Sequence, residues 1–250
     1  MRKKLLWLLL LVFVCLLAGC SEKKKVQTET KKKQPDIVVG TAASNAPYYS
    51  VSGDKMAEGL YVELVNLLSK QTGMTFEFRE ISPVQAAEEI REKNCDIYLG
   101  NPKDSGGQTD TLSESQAFYR TNLCLAVLKN RGIEGCGDLR NQTIVSAAAT
   151  RAENWAKKNA VKYEGNSLSF TEESLALSDL EQGYSKAVVL DENRLKALAE
   201  EGYDFHILKA TTKLQNEHRM VAFRENESAE KVFAALDDMI KDGTLREIFQ

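Results

Sequence analysis

Residues 59–73 read GLYVELVNLLSKQTG, the pattern of an amphipathic helix. Its leucines recur at helical spacing on one face, and the final glycine is a helix stop signal. Short apolar runs typical of strands lie on both sides of it, at residues 37–41 (IVVGT) and 75–79 (TFEFR). The order strand, helix, strand therefore predicts the first β-α-β unit of an α/β protein.

This unit continues with a second helix and a third strand. Ser82 is placed to cap a helix that has Pro83 in its first turn, and Gln85 completes a capping-box pattern. The helix is predicted to run to about Lys93, and a strand is predicted at residues 96–100. Such alternation predicts parallel strands with helices on both faces of the sheet.

The alternation begins again in the second half of the chain. Strands are predicted at residues 122–128, 143–147, 186–190, 205–208 and 220–223. Helices are predicted from Thr150 and at residues 171–182, 192–201 and 228–241. Two α/β units with no long flexible linker between them predict two lobes. Because ligands bind beyond the carboxyl ends of strands in open parallel sheets, facing sheet edges are expected to form a cleft that closes on a small solute.

The N-terminus carries the features of an export signal. A basic start at residues 2–4 (RKK) precedes an apolar run at residues 5–17, which is too short to span a bilayer comfortably. Residues 17–20, Leu-Ala-Gly-Cys, resemble the lipobox of bacterial lipoproteins. Cys20 is therefore predicted to carry diacylglycerol and palmitate and to become the new N-terminus. An ordinary signal peptide with a chance cysteine is the alternative.

Residues 1–19 are thus predicted to be a signal peptide, and residues 20–35 a lipid-anchored flexible tether. Residues 21–34 contain six lysines and two glutamates and have almost nothing to bury. Lipid chains at one terminal residue anchor a protein to a membrane without crossing it. The predicted location is the cell membrane, facing the extracellular or periplasmic side.

The remainder of the chain is acidic. The first 34 residues hold nine of the 33 basic and two of the 36 acidic residues, which leaves 24 basic and 34 acidic residues, a formal charge of about −10. This balance argues against a nucleic-acid partner, which requires a basic face. Cys95, Cys124 and Cys136 allow at most one internal disulfide. No C-x-x-C motif or Cys/His cluster occurs, so neither a metal nor a cofactor is predicted.

Several short motifs occur in the order and spacing of a known family. They are Val39-Gly40-Thr41, Ala46-Pro47-Tyr48, Gly59-Leu60-Tyr61-Val62-Glu63-Leu64, Asn94-Cys95-Asp96-Ile97, Ala117-Phe118-Tyr119, Gly137-Asp138-Leu139, Ala187-Val188-Val189-Leu190-Asp191 and Asp242-Gly243-Thr244-Leu245. With them the chain resembles family 3 of the extracellular solute-binding proteins, the polar amino-acid receptors of ABC importers. The resemblance implies a two-lobed periplasmic-binding-protein fold of type II, with two hinge strands and a ligand cleft. It implies lobe 1 at residues 36–121 and 209–250, and lobe 2 at residues 122–208.

The resemblance also implies roles for cleft residues. Family receptors hold the ammonium of an amino acid with an aspartate, and its carboxylate with an arginine and a helix N-terminus. A buried zwitterion needs such partners because it loses its hydration. Asp191 falls on the ammonium-binding aspartate and Thr150 on the carboxylate site. Each also precedes a predicted helix, so a helix-capping role is the alternative for both residues.

Other positions depart from the family pattern. The carboxylate-binding arginine falls on Gln108, which brings no charge. Arg151 and Lys103 are the cations that could compensate, although each is otherwise a surface charge. Asn101, on the same loop as Lys103, is also expected to contact the ligand.

The aromatic pair that sandwiches the solute in this family is largely lost, since it falls on Asn45 and Leu60. Tyr48 and Tyr61 are the nearby aromatics that remain, and both are predicted ligand contacts; half-burial without a ligand role is the alternative. The acid that usually follows the first strand is replaced by Ala42. These departures leave the solute open, between an α-amino acid and an amine without an α-carboxylate.

The predicted function is therefore that of a monomeric lipoprotein that binds a small polar solute, an amino acid or a related amine, and delivers it to an ABC permease. A ligand-responsive sensor or partner-binding lipoprotein with a diverged pocket is the alternative. An enzyme is not expected, because His206, in a predicted strand, and His218, in a predicted charged loop, have no recognisable catalytic partner in the sequence.

Overall fold

A mixed sheet of nine strands runs through the described part of the protein, and two short strands form a separate two-stranded sheet. The structure is a computed structural model that describes residues 34–100, 111–129 and 131–249, with the backbone alone at residues 210–215. Its strands in this part of the chain are β1 (Ile37–Thr41), β2 (Ser50–Val51), β3 (Ala57–Glu58), β4 (Phe76–Glu80), β5 (Ile97–Gly100), β6 (Leu112–Glu114), β7 (Tyr119–Leu128), β8 (Thr143–Ala147), β9 (Asn166–Phe170), β10 (Ala187–Asp191) and β11 (Phe205–Phe223).

Six α-helices lie in the described residues. They are α1 (Leu60–Thr72), α2 (Ala86–Arg91), α3 (Arg151–Lys162), α4 (Glu173–Glu181), α5 (Glu192–Glu200) and α6 (Glu227–Asp242). Short 3-10 turns occur at Cys136–Leu139 and Thr244–Glu247. Helix α1 ends as predicted, because Gly73 adopts the left-handed conformation with φ of 72°.

The strand order β4-β1-β5-β11-β7-β10-β8-β9 divides into two parallel portions joined by an antiparallel pair. Strand β1 pairs in parallel with β4 and β5, and β8 pairs in parallel with β9 and β10. Between these portions, β7 and β11 pair antiparallel from Phe205 opposite Leu128 to His218 opposite Tyr119. We call this pair the hinge ribbon, since it joins the two portions: β11 pairs with β5, and β7 pairs with β10.

The hinge ribbon corrects one sequence prediction. Residues 205–208 and 220–223 were expected to be separate strands, but β11 is a single strand of 19 residues with two register shifts. The polar residues between the predicted strands suggested a loop. They form a strand because pairing with β7 satisfies their backbone groups. Every second side chain, at Asn216, His218 and Met220, is buried, as expected for a strand with one buried face.

The prediction for the start of α2 is also wrong. The helix begins after Gln85, and no side chain caps it. The hydroxyl of Ser82 donates instead to the backbone oxygen of Thr171, at 3.1 Å, in the other half of the chain. Ser82 therefore makes a long-range hydrogen bond in place of the predicted helix cap. The spacing of residues in the sequence does not reveal such a contact.

Buried apolar residues form separate clusters on the two sides of the hinge ribbon. One contains α1 and α6 residues such as Leu64, Leu68 and Leu236, together with Tyr48 and Tyr61. Other clusters surround β8 and β10, packed against α3 on one face and against α4 and α5 on the other. Residues 35–250 nevertheless form one compact unit.

The three cysteines in the described residues are free thiols. Burial raises the pKa of Cys95 and of Cys124 to about 11 each. In the same described ranges, no helix combines the length and apolar character needed to cross a membrane. The predictions for Cys20, the signal peptide and nearly all of the tether, and for Asn101, Lys103 and Gln108, lie outside the described residues.

Candidate functional site

A cavity of about 110 Å³ lies at the carboxyl ends of the parallel strands. Gly100 of β5, Ala147 of β8 and Asp191 of β10 line it, as does Ala42 immediately after β1. Strand ends from both halves thus meet at one cavity, where the sequence predicted the cleft. Its volume is comparable to the roughly 150 Å³ of an engineered cavity that admits benzene, so it suits a small molecule.

Asp191 is at the centre of a buried hydrogen-bond cluster. Its Oδ1 accepts from the hydroxyl of Tyr48 at 2.5 Å and from the backbone N–H of Asn193 at 2.9 Å. Its Oδ2 accepts from the side-chain amide of Asn216 at 2.8 Å and from the hydroxyl of Thr121. The carboxylate is therefore both the N-cap of α5 and the acceptor for three side chains, so the predicted capping role is present.

His218 completes this arrangement, which we call the Asp191 cluster (Tyr48, Thr121, Asp191, Asn216 and His218). The imidazole is 2% exposed, its Nδ1 lies 2.7 Å from the hydroxyl of Tyr61, and its Nε2 lies 3.7 Å from Asp191 Oδ2. Burial of Asp191 opposes its ionisation. The imidazole and the hydroxyls of Thr121 and Tyr48 outweigh burial and lower the pKa of Asp191 to about 2.

Tyr48 and Tyr61 line the cavity but are not half-buried, since each is only 1% exposed. Their rings stack with centroids 5.4 Å apart, and Tyr48 lies 4.5 Å from the His218 ring. Burial, with Asp191 nearby, raises the pKa of Tyr48 well above its ordinary value. Burial likewise raises the pKa of Tyr61 well above its ordinary value, so both phenols remain protonated at the cavity wall.

The N-terminus of α3 forms another wall. The hydroxyl of Thr150 donates to the backbone oxygen of Ala147 at 2.7 Å and accepts from the N–H of Glu153 at 3.3 Å. Thr150 and Ala152 both line the cavity. Thr150 thus caps the helix, as one reading of the sequence predicted, and the same geometry brings the positive end of the helix dipole to the cavity.

Arg151 takes a different direction from its neighbours. Its guanidinium binds Glu217 on the hinge ribbon at 3.2 Å, and Arg151 does not line the described part of the cavity. Arg120 and Arg219 bind the same carboxylate, at 3.2 and 2.7 Å. The hydrogen bond from Arg219 is the main reason that the pKa of Glu217 is lowered. In this structure Arg151 is a partner of Glu217.

A third wall is acidic. Glu172 and Glu173 line the cavity together with Asp191, whereas Arg194 is the one guanidinium in the described lining. Arg194 is 5% exposed, and its charge is shared between Glu173 at 2.6 Å and Glu201 at 3.1 Å. Burial raises the pKa of Glu173 in spite of Arg194. The described lining therefore carries an excess of negative charge.

Hydrogen bonds between described residues cross this cavity, from the half around β1 to the half around β8 and β10. Among them are Tyr48 to Asp191, Ser82 to the backbone oxygen of Thr171, and Arg194 Nη1 to the backbone oxygen of Ala46 at 3.2 Å. With these contacts made, the structure presents the cleft in a closed arrangement.

Sequence reasoning missed Thr121, Asn216 and His218 as members of this site. His218 was assigned to a charged loop without a partner, yet it packs against Tyr48, Tyr61 and Tyr119 and approaches Asp191. The signal available was the alternation of residues 216, 218 and 220, which matches a strand with one buried face. The charged residues between them obscured it.

Comparison with known proteins agrees with this architecture. The family model for bacterial extracellular solute-binding proteins, family 3, matches residues 37–250. The arginine-binding extracellular protein ArtP of Bacillus subtilis (strain 168) is 26% identical over 254 residues, covering 97% of this chain and 95% of ArtP.

Solved structures show the same fold. An ancestral arginine-binding protein bound to arginine has a TM-score of 0.73 at 21% identity, covering 85% of this chain and 95% of its own. The arginine-, lysine-, histidine-binding protein ArtJ of Geobacillus stearothermophilus has a TM-score of 0.71 at 20% identity, covering 85% and 92%. The match to the family model spans nearly all of the described chain, and the two-lobed fold with its hinge ribbon agrees with it. The chain therefore belongs to the bacterial extracellular solute-binding proteins, family 3.

Proposed function

We propose that this protein is the receptor of an amino-acid ABC importer and that its solute is an amino acid or related amine that carries positive charge. The observation that carries this proposal is the acidic lining: three carboxylates and one already paired guanidinium surround the described part of the cavity. A cationic group entering such a site gains Coulombic stabilisation that an anionic solute would not. The curated and structural relatives that bind arginine support the same class of solute.

The other end of an amino acid is a carboxylate, and we assign it to the N-terminus of α3. Thr150 and Ala152 line the cavity there, and backbone N–H groups of a first helical turn are free to bind an anion. Asn101, Lys103 and Gln108 remain proposed contacts at this end. Arg151 joins the site only if its guanidinium leaves Glu217, so we assign it a lesser share of the binding energy.

Isothermal titration calorimetry and thermal unfolding against a defined panel test this function. The panel contains L-arginine, L-lysine, L-glutamine, L-glutamate and putrescine. We expect a cationic amino acid to bind and to stabilise the fold by about 2.7 kcal/mol at 100 times its dissociation constant. Arg151→Ala should weaken binding only slightly. Binding of L-glutamate in preference to the cations, or no binding across the panel, would refute the proposal.

We also propose that the chain is a lipoprotein, cleaved after Gly19 and lipidated on Cys20, and that it meets its permease as a monomer at the membrane surface. The lipobox-like residues 17–20 and the basic residues 2–4 support this. Mass spectrometry of protein from a bacterial membrane fraction should show a diacylated N-terminal cysteine. Cys20→Ala should release the protein from the membrane, whereas Cys136→Ala should leave it there.

A sensor or partner-binding role is a second candidate, and one observation favours it. The carboxylate of Asp191 is already bound by donors from its own chain, so a closed cleft does not require a solute. A protein that stays in the same closed arrangement with and without every solute of the panel, by small-angle X-ray scattering, would support this second role.

A further inference from the structure

The hydrogen-bonding capacity of Asp191 is filled by the protein itself. An ionised carboxylate offers about four lone-pair sites. Tyr48, Asn216 and the N–H of Asn193 donate to it at 2.5, 2.8 and 2.9 Å, and the hydroxyl of Thr121 donates to it as well. The side chain of Asp191 is only 9% exposed. An ammonium that is to bind this carboxylate must therefore take the place of one donor.

The donors differ in how they are held. Asn193 belongs to α5, which Asp191 itself caps, and Thr121 and Asn216 lie on the hinge ribbon. Tyr48 alone comes from the apolar cluster of the first half, around α1 and α6. Among the donors to Asp191, the Tyr48 hydroxyl is therefore the one that links it to the first half, and opening of the cleft would separate these two partners.

We infer that Tyr48 is a specificity-determining residue that competes with the solute: its hydroxyl occupies the place on Asp191 Oδ1 that the ammonium of a bound solute takes. This inference rests on the proposed function, in that it assumes an amine-bearing solute. The Tyr48–Asp191 bond stabilises the closed cleft without solute. Only a solute whose ammonium forms a stronger, charge-assisted bond to Asp191 displaces it.

Competition predicts the direction in which removal of the Tyr48 hydroxyl changes the affinity for the solute. If solute and hydroxyl compete, the bound state contains no Tyr48–Asp191 bond, and Tyr48→Phe destabilises only the closed state without solute. Affinity for the amine then rises. If both bind Asp191 together, the bound state loses a hydrogen bond and affinity falls. A net hydrogen bond corresponds to about a tenfold change in affinity.

The experiment is calorimetric titration of L-arginine into the wild type, Tyr48→Phe and Tyr49→Phe. Tyr49 is the matched control, because it is 4% exposed in the same apolar cluster and its ring packs on Phe78 rather than Asp191. We expect Tyr48→Phe to bind L-arginine about tenfold more tightly and Tyr49→Phe to match the wild type. Unchanged or weaker binding by Tyr48→Phe, with the control unaffected, would overturn the inference.

Two further readouts separate the possible failures. In wild-type protein labelled with carbon-13 tyrosine, L-arginine should shift one Cζ resonance as the Tyr48 hydroxyl loses its acceptor, and this measurement needs no variant. Absence of any such shift on saturation would count against competition. If the wild type binds no member of the amine panel at all, the proposed function itself fails, which is a different result from wild-type binding that Tyr48→Phe does not tighten.

Discussion

The hydroxyl of Tyr48 donates to the carboxylate of Asp191 at 2.5 Å, although the two residues are 143 positions apart in the chain. Tyr48 lies in the apolar cluster of the first half, and Asp191 ends a strand of the second. The presence of this contact therefore indicates that the cleft between the two halves is closed. Because ionised Asp191 accepts this hydrogen bond, its protonation state affects the free energy of unfolding.

Acid should destabilise the fold through Asp191. Because its pKa is lowered from 3.8 to about 2, its contribution is fully present above pH 4 and is lost as the pH falls toward 2. Urea unfolding between pH 4 and pH 2 should show a loss of about 2 kcal/mol attributable to this group. Asp191→Asn should remove that part of the slope, whereas Asp204→Asn, at an exposed position, should keep it. Equal slopes in all three proteins would contradict the assignment.

Gly59 should tolerate no side chain. Its φ is 115°, and a Cβ there would lie 2.6 Å from the backbone oxygen of Tyr48 and 2.8 Å from that of Pro47. Gly59→Ala should therefore cost about 2 kcal/mol or more in unfolding free energy and displace the loop that carries Tyr48. Gly53→Ala is the control, because nothing lies within 4 Å of its Cβ position. Urea denaturation of both variants checks this, and similar stabilities would show the expected strain to be absent.

Thr150 should contribute to stability and to binding by separable routes. Thr150→Ala removes the acceptor for the N–H of Glu153 and should lower the unfolding free energy by about 1 kcal/mol. Thr150→Ser keeps the cap and should restore stability. Measuring L-arginine affinity on the same variants tests whether an ordered α3 N-terminus is needed for the solute; an alanine variant as stable as the serine variant would refute the capping role.

Substitution of Glu217 should lower the stability more than substitution of an ordinary surface carboxylate. Arg120, Arg151 and Arg219 all bind it, and it is 21% exposed, so Glu217→Gln leaves three guanidinium groups without their shared partner. We expect a loss of about 1 kcal/mol that shrinks in high salt. Glu164→Gln is the control. It breaks the ion pair between Arg140 and Glu164, whose side chain is 64% exposed, and should leave the stability almost unchanged. Thermal unfolding at two salt concentrations would detect the difference, and equal effects of the two substitutions would exclude a special role for Glu217.

Much of the fold could be predicted from local sequence, because its strongest elements carry periodic patterns. Leucine spacing and Gly73 defined α1, and the amphipathic pattern at residues 228–241 found α6 to within a residue at each end. Asp191 was correctly placed at the end of a buried strand. The function was confirmed at the level of a solute-binding protein through family membership.

The parts that sequence did not predict depend on contacts between distant residues. Strand β9 was missed because only Leu168 and Phe170 are apolar in it, which is too short an alternation to mark a strand, although pairing with β8 holds it. His218 lies in a charged stretch, and its partners Tyr61 and Asp191 are 157 and 27 positions away. Local sequence patterns indicate whether a side chain is buried or exposed, but not which distant residue it will contact.

The position of β11 in the sheet affects both the folding of the nascent chain and the truncations that the fold tolerates. This late strand lies between β5 and β7, so neither portion of the sheet is complete until residues 205–223 have been synthesised. A nascent chain shorter than this leaves the edges of β5 and β7 without their partner, and such open edges favour association with other chains. Fragments that stop before β11 should therefore be prone to aggregate, and the first lobe cannot be produced alone by truncating the C-terminus.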